Sequence, residues 1–119
     1  MNETDFEKLV SRAYESIPLK WRQRMTNVGL CIEDRDPEDP DLLGVYEGVA
    51  LTERGSDPTG LLPDKITLFR ATILEEAEDT DGDAYRVVRE TLIHEIAHHF
   101  GWSDEQIEAV FEARWERDI

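Results

Sequence analysis

Residues 84–100 spell AYRVVRETLIHEIAHHF. Val87, Val88, Thr91, Leu92, Ile96 and Phe100 recur there at helical spacing. Apolar positions fall on most of the circumference and not on one stripe. The pattern therefore predicts a buried helix over about 85–100. This constrains a chain of 119 residues, only 39% of them apolar, severely. Such a length allows one domain, 1–119, with one modest core, and the helix has to sit inside that core.

The preceding segments supply its cover. TDFEKLVSRAYESIP reads as a helix, with Phe6, Leu9, Val10, Ala13, Tyr14 and Ile17 on one face and Thr4 and Glu7 in a capping-box pattern. Pro18 stops it or opens a short second helix over PLKWRQRM. NVGLCIED reads as a strand, and EDRDPEDPD, with six acids and two prolines, as a loop. LLGVYEGVALTERG suits a strand or half a hairpin, weakened by Gly44 and Gly48, and RGSDPTGLLPD suits a loop. KITLFRATIL carries the strongest strand signal, with Ile66, Leu68 and Arg70 alternating against Thr67 and Phe69. EEAEDTDGD reads as an acidic loop. Gly101 ends the long helix, and Ser103 caps another whose stripe is Ile107, Val110, Phe111 and Trp115. Helix, strands and then two helices predict an α+β domain with helices packed on one small sheet.

A net charge of −15 disfavours nucleic-acid backbones and anionic membranes, so neither is an expected partner. No apolar run approaches the roughly 20 residues of a membrane span. The single cysteine, Cys31, excludes an internal disulfide and is expected buried and inert. MNETDFEKLV opens polar and acidic, unlike a secretory leader. A cytoplasmic protein is expected.

The three histidines, His94, His98 and His99, all lie within HEIAHHFGWSD. A four-residue spacing stacks His94 and His98 on one helix face, where both imidazoles can reach one metal ion. Glu95 is rotated off that face, so it is placed to take a proton from a metal-bound water and not to ligate. That is the arrangement of a zinc hydrolase. A third ligand is needed. His99 points about 100° away round the helix and is left as a supporting or surface residue. Gly101 can reverse the chain with positive φ and bring Asp104 back beneath the imidazoles as that ligand. Asp104 also suits the first turn of the next helix, between Ser103 and Gln106, and the two roles are compatible.

VRETLIHEIAHHFGWSD, LLGVYEGVALTERG and LPDKITLFRATIL resemble the minimal zincin-like metallopeptidase family of small bacterial proteins, over most of residues 27–104. The resemblance implies an α+β fold with the histidine helix on a small, mostly antiparallel sheet. It implies Zn2+ on His94, His98 and Asp104, with Glu95 as general base. Unlike larger zinc proteases, the chain has no methionine after the motif to make a Met-turn, its methionines being Met1 and Met25. No Tyr or His follows the motif to stabilise an oxyanion, and Tyr46 and Tyr85, besides Tyr14, are the candidates.

The expected activity is that of a zinc metallopeptidase acting on peptides or proteins, with basic ones drawn by the net charge. A metal-stabilised, non-catalytic peptide- or protein-binding module is the alternative. A zinc hydrolase of non-peptide substrates is a third reading. Two further patterns are weaker. Asp79–Glu90 has EF-hand acids but Ala84 at the glycine position, so a plain acidic loop is the default. GVYEGVALTERG and KITLFR could present a sheet edge to an extended peptide, or simply pair with each other.

Overall fold

The computed structural model describes residues 1–25, 27–48, 64–103 and 105–106. Among them, four helices and a three-stranded sheet form one α+β unit. Helix α1, Glu3–Glu15, starts two residues earlier than the Thr4 capping box predicts. Asn2 is its cap, and the Asn2 side chain accepts from the Asp5 amide at 2.8 Å. Phe6, Val10 and Ala13 make its buried face. Pro18 opens α2, Leu19–Arg24, where the fixed φ of proline suits a helix start.

Strand β1, Val28–Glu33, follows Asn27, whose φ of 60° turns the chain into the sheet. The acidic segment after it is loop, as its composition predicts. Asp36 accepts the amides of Glu38 and Asp39, and Arg35 bonds the Pro40 carbonyl and the Glu75 carboxylate. Cys31 is half-buried on β1, not fully buried as its apolar neighbours suggested. Strand β2, Gly44–Glu47, is short, and the rest of that predicted strand or hairpin lies outside the described residues.

Strand β3 runs from Asp64 to Phe69, and there the sequence reading overreaches. ATIL is not strand: α3, Arg70–Asp79, begins directly after Phe69 and takes in most of the supposed acidic loop. Two nonlocal contacts fix the changeover. The Ala71 amide donates to the Asp34 carbonyl, and the Arg70 guanidinium bonds the Asp34 carboxylate. Helix α4, Ala84–His99, falls where the periodicity puts it.

Strand order is β1-β3-β2. β1 runs parallel to β3, with Leu30 opposite Ile66, and β2 runs antiparallel, with Tyr46 opposite Ile66. The described sheet is thus mixed, with one pairing of each sense. Central β3 is buried on both faces: Ile66, Thr67, Leu68 and Phe69 are all nearly inaccessible. Its KITLF segment therefore offers no free edge. Phe6, Val10, Ile66, Leu68, Ile73, Val88, Leu92 and Ile96 share one core. Helix α4 packs on α1, α3, β2 and β3, as a helix apolar on most sides must. No helix among the described residues is long and apolar enough to cross a membrane.

Candidate metal centre

Both ends of α4 are capped by side chains and turns that the sequence specifies. Asp83 is the N-cap, accepting the Arg86 amide at 3.1 Å. At the other end Gly101 takes φ 89°, the left-handed conformation expected of it. The Gly101 amide bonds the His98 carbonyl at 2.9 Å, and the Trp102 amide bonds the Ala97 carbonyl at 3.0 Å. This pair of bonds is a Schellman motif, which satisfies carbonyls left over in the last turn. Two residues on, the Ser103 hydroxyl accepts the Gln106 amide while the Gln106 side chain accepts the Ser103 amide. That is the predicted capping box. Asp104 lies between these two features but outside the described residues, as do Ile107, Val110, Phe111 and Trp115.

His94 and His98 project from one face of α4, with Nε2 of one 3.1 Å from Nε2 of the other. Two N–H groups cannot point at each other across that distance, so at least one of these nitrogens presents a lone pair to the shared space. Two nitrogens on one zinc ion at about 2.0–2.1 Å would stand roughly 3.3 Å apart in a tetrahedron. The separation therefore fits a shared ion. Ligand atoms of His94, Glu95 and His98 all lie within 4.8 Å of one another. Both imidazoles are half-buried, while Glu95 is buried. The fold thus brings together the three side chains that the H-E-x-x-H spacing singles out.

They open into a groove of about 930 Å³ between α4 and β2. Gly44 explains how the strand comes so near. A Cβ there would lie 2.8 Å from Thr91 Cγ2, 3.1 Å from the Thr67 carbonyl oxygen and 3.5 Å from Glu95 Cγ. Glycine at the start of β2, first read only as weakening a strand, is where backbone meets the helix that carries Glu95.

His99 is neither at the groove nor at the surface. It is fully buried, turned about 100° round the helix from His98. Its Nδ1 lies 2.8 Å from Asp64 Oδ2, and Tyr46 Oη donates to the same oxygen at 2.6 Å. With the carboxyl ionised it can only accept, and the hydrogen of that His99 contact then sits on Nδ1. The Tyr46 hydroxyl thus bonds a buried carboxylate, while the residue also lines the groove. Tyr85 lies elsewhere, beneath the Arg12 guanidinium at 5.0 Å from the ring centre. Asp64 is the residue that sequence reasoning missed. A charged residue opening a strand gives no local sign of burial; only the packing of α4 on the sheet brings it to His99.

The weak EF-hand pattern resolves into an ion-pair network. Arg86 Nε bonds Asp81 at 2.7 Å and its Nη1 bonds Glu90 at 2.8 Å. The Arg86 hydrogen bond, with the Asp83 amide behind it, holds the Asp81 carboxyl down at about 2. Residues from Ala84 onward are helical, so the second half of a calcium loop does not form.

The zincin-like metallopeptidase family matches residues 25–114. Among solved structures, a conserved hypothetical protein from T. thermophilus is similar, at 26% identity and a TM-score of 0.59. The likeness covers 84% of this chain and 94% of that one. No curated protein matches.

Proposed function

The chain belongs to the zincin-like metallopeptidase family, and on that premise we propose that it is a zinc-dependent peptidase. His94, His98 and Asp104 hold the metal, and Glu95 is the general base. The family implies a metal, usually zinc. The single observation that carries the reading further is the convergence of two imidazole nitrogens at 3.1 Å beside a buried carboxylate, at the floor of a groove.

When bound, zinc would acidify a water and polarise the carbonyl that the water attacks. Everything else falls to the chain. Glu95 takes the proton of the attacking water and passes it to the leaving amine. Burial of Glu95 beside Gly44 keeps its carboxylate in one place for both transfers. An extended peptide would add along β2, on the side away from β3. Leu43 to Tyr46 would then hold the peptide across the groove from the histidines. The charge of −15 draws basic peptides faster than acidic ones, and salt blunts that difference.

A second reading, a metal-stabilised binding module, draws on one observation. The hydroxyl of Tyr46, a groove-lining residue, is hydrogen-bonded to the buried Asp64 carboxylate. Retention of Glu95 argues the other way, since a structural site has no use for a base.

Zinc titration of the purified chain, with His94→Ala, His98→Ala and Asp104→Ala beside it, tests the ligand set. One zinc per wild-type chain and strongly weakened binding in each variant is the expected outcome. Wild-type affinity in Asp104→Ala would leave that residue with its capping role alone.

A further inference from the structure

The buried cluster behind the groove has no part in the chemistry just described. Asp64 is 2% exposed and His99 0%, and they come from β3 and from the last turn of α4. Tyr46, from β2, completes it, with Nδ1 of His99 3.3 Å from the Tyr46 hydroxyl and the two rings edge-to-face at 5.6 Å. Three elements far apart in sequence thus meet on one carboxylate oxygen.

A stability argument does not explain the choice of these residues. Replacing a buried ion pair with apolar side chains of similar volume is often neutral or stabilising. What apolar contacts lack is direction. A hydrogen bond of 2.8 Å from His99 to Asp64 fixes the rotation of the last turn of α4 about its own axis. His98, the next residue back, stands about 100° round the same turn. Setting the rotation of one therefore sets the rotation of the other. The position matters because helix ends fray, and the groove-facing His98 lies in the final turn. The Schellman bonds after it satisfy carbonyls but do not tie the turn to the sheet.

The backbone around the cluster is built to match. Gly48, directly after β2, has φ 149°, and a Cβ there would come within 2.4 Å of Asp64 Oδ1 and 2.5 Å of its Cγ. Main chain closes directly over the carboxylate. Its position is then fixed from the β2 side by backbone as well as by the Tyr46 hydroxyl.

We propose that His99, Asp64 and Tyr46 are positioning residues for the metal centre: they lock the last turn of α4 to β2 and β3, so that His98 is aimed at His94 before an ion arrives. This rests on the metal-binding role proposed for His94 and His98. It assigns work to residues that are not ligands of the ion.

Three substitutions test it. Tyr46→Phe removes one hydroxyl and keeps the ring. His99→Asn keeps an N–H donor near the place of Nδ1, and His99→Leu keeps apolar volume without a donor. For each folded variant, zinc affinity is measured by competition with a chromophoric chelator, and the visible spectrum of the Co2+-loaded protein is recorded. Melting of the metal-free protein sets a temperature at which all are folded. Tyr46→Phe is expected to weaken zinc about tenfold and to shift the Co2+ bands, as removal of outlying partners of a metal site does. His99→Leu should lose more, and His99→Asn should recover part of that loss. Should His99→Leu not fold, Tyr46→Phe decides. Unchanged affinity and spectrum in Tyr46→Phe, or equal losses in His99→Leu and His99→Asn, would overturn the proposal, whatever the melting temperatures. A wild-type chain that binds neither ion would instead sink the metal-binding role itself, and the positioning role with it.

Discussion

The two ends of α4 are each tied down by an aspartate, in opposite ways. At the start, Asp81 holds Arg86, which also reaches Glu90, all within ten residues of sequence and open to water. At the finish, Asp64 holds His99 and Tyr46 from 35 and 18 residues away, in the interior. Exposed pairs of the first kind contribute roughly 0–1 kcal/mol and are screened by salt. Buried ones of the second kind contribute little net stability, yet breaking one is costly because the other partners stay buried and unsatisfied. The first network trims a helix start. The second decides how a helix lies on its sheet, and so where His98 points.

The comparison is broken most forcefully at Asp64. Asp64→Ala leaves His99 and the Tyr46 hydroxyl buried without that oxygen and should cost about 3–5 kcal/mol in denaturant unfolding. A loss no larger than that of an exposed pair would mean the buried cluster does not hold the helix end. Next come the glycines that let backbone close in. Gly44→Ala places a Cβ 2.8 Å from Thr91 and 3.1 Å from a main-chain carbonyl. Overpacking of that kind should cost about 1–3 kcal/mol and displace Glu95. Activity should therefore fall further than the folded fraction does, and a loss of activity no greater than the loss of folded protein would count against the close approach of β2 to Glu95. Gly101→Val forces a branched side chain into φ 89°. It should cost about 1–2 kcal/mol and weaken zinc, because Asp104 follows that turn; unaltered zinc affinity would detach Asp104 from the site.

At the exposed end the effects are smallest. Arg86→Ala should shift the unfolding midpoint by only a small fraction of the Asp64→Ala effect. Its clearer mark is on Asp81. The folded-state value of about 2 lies below that of the unfolded chain. The stabilisation is therefore complete above the ordinary carboxylate range and is lost as pH falls through about 2. An NMR titration should show the Asp81 midpoint rising toward roughly 3.9 in Arg86→Ala.

The same contrast explains how much could be read from the sequence. Features made by neighbours along the chain were legible: the buried helix over 84–100, the left-handed Gly101, the Ser103–Gln106 box and the stacking of His94 on His98. Each depends on a spacing of three or four residues or on one glycine. Features made across the sheet were not. Ile73 and Leu74 continue an alternating pattern, yet they are helical because Asp34 captures Arg70 and the Ala71 amide. His99 looked peripheral because its partners lie on β2 and β3, where only the register of Tyr46 opposite Ile66 places them. Glycine at 44 and 48 weakened the strand pattern locally, while its purpose is close contact with Thr91 and Asp64.

Hydrolysis is the central claim, and the most direct measurement compares zinc-loaded wild type with zinc-loaded Glu95→Gln on a mixed-peptide digest read by mass spectrometry. The substitution keeps the shape of the side chain and removes the base. Both proteins should bind one zinc; wild type should cleave, basic peptides faster than acidic ones at low salt, and Glu95→Gln should be slower by a factor on the order of 100 or more. Equal rates in the two proteins, or no cleavage by zinc-loaded wild type, would contradict the account.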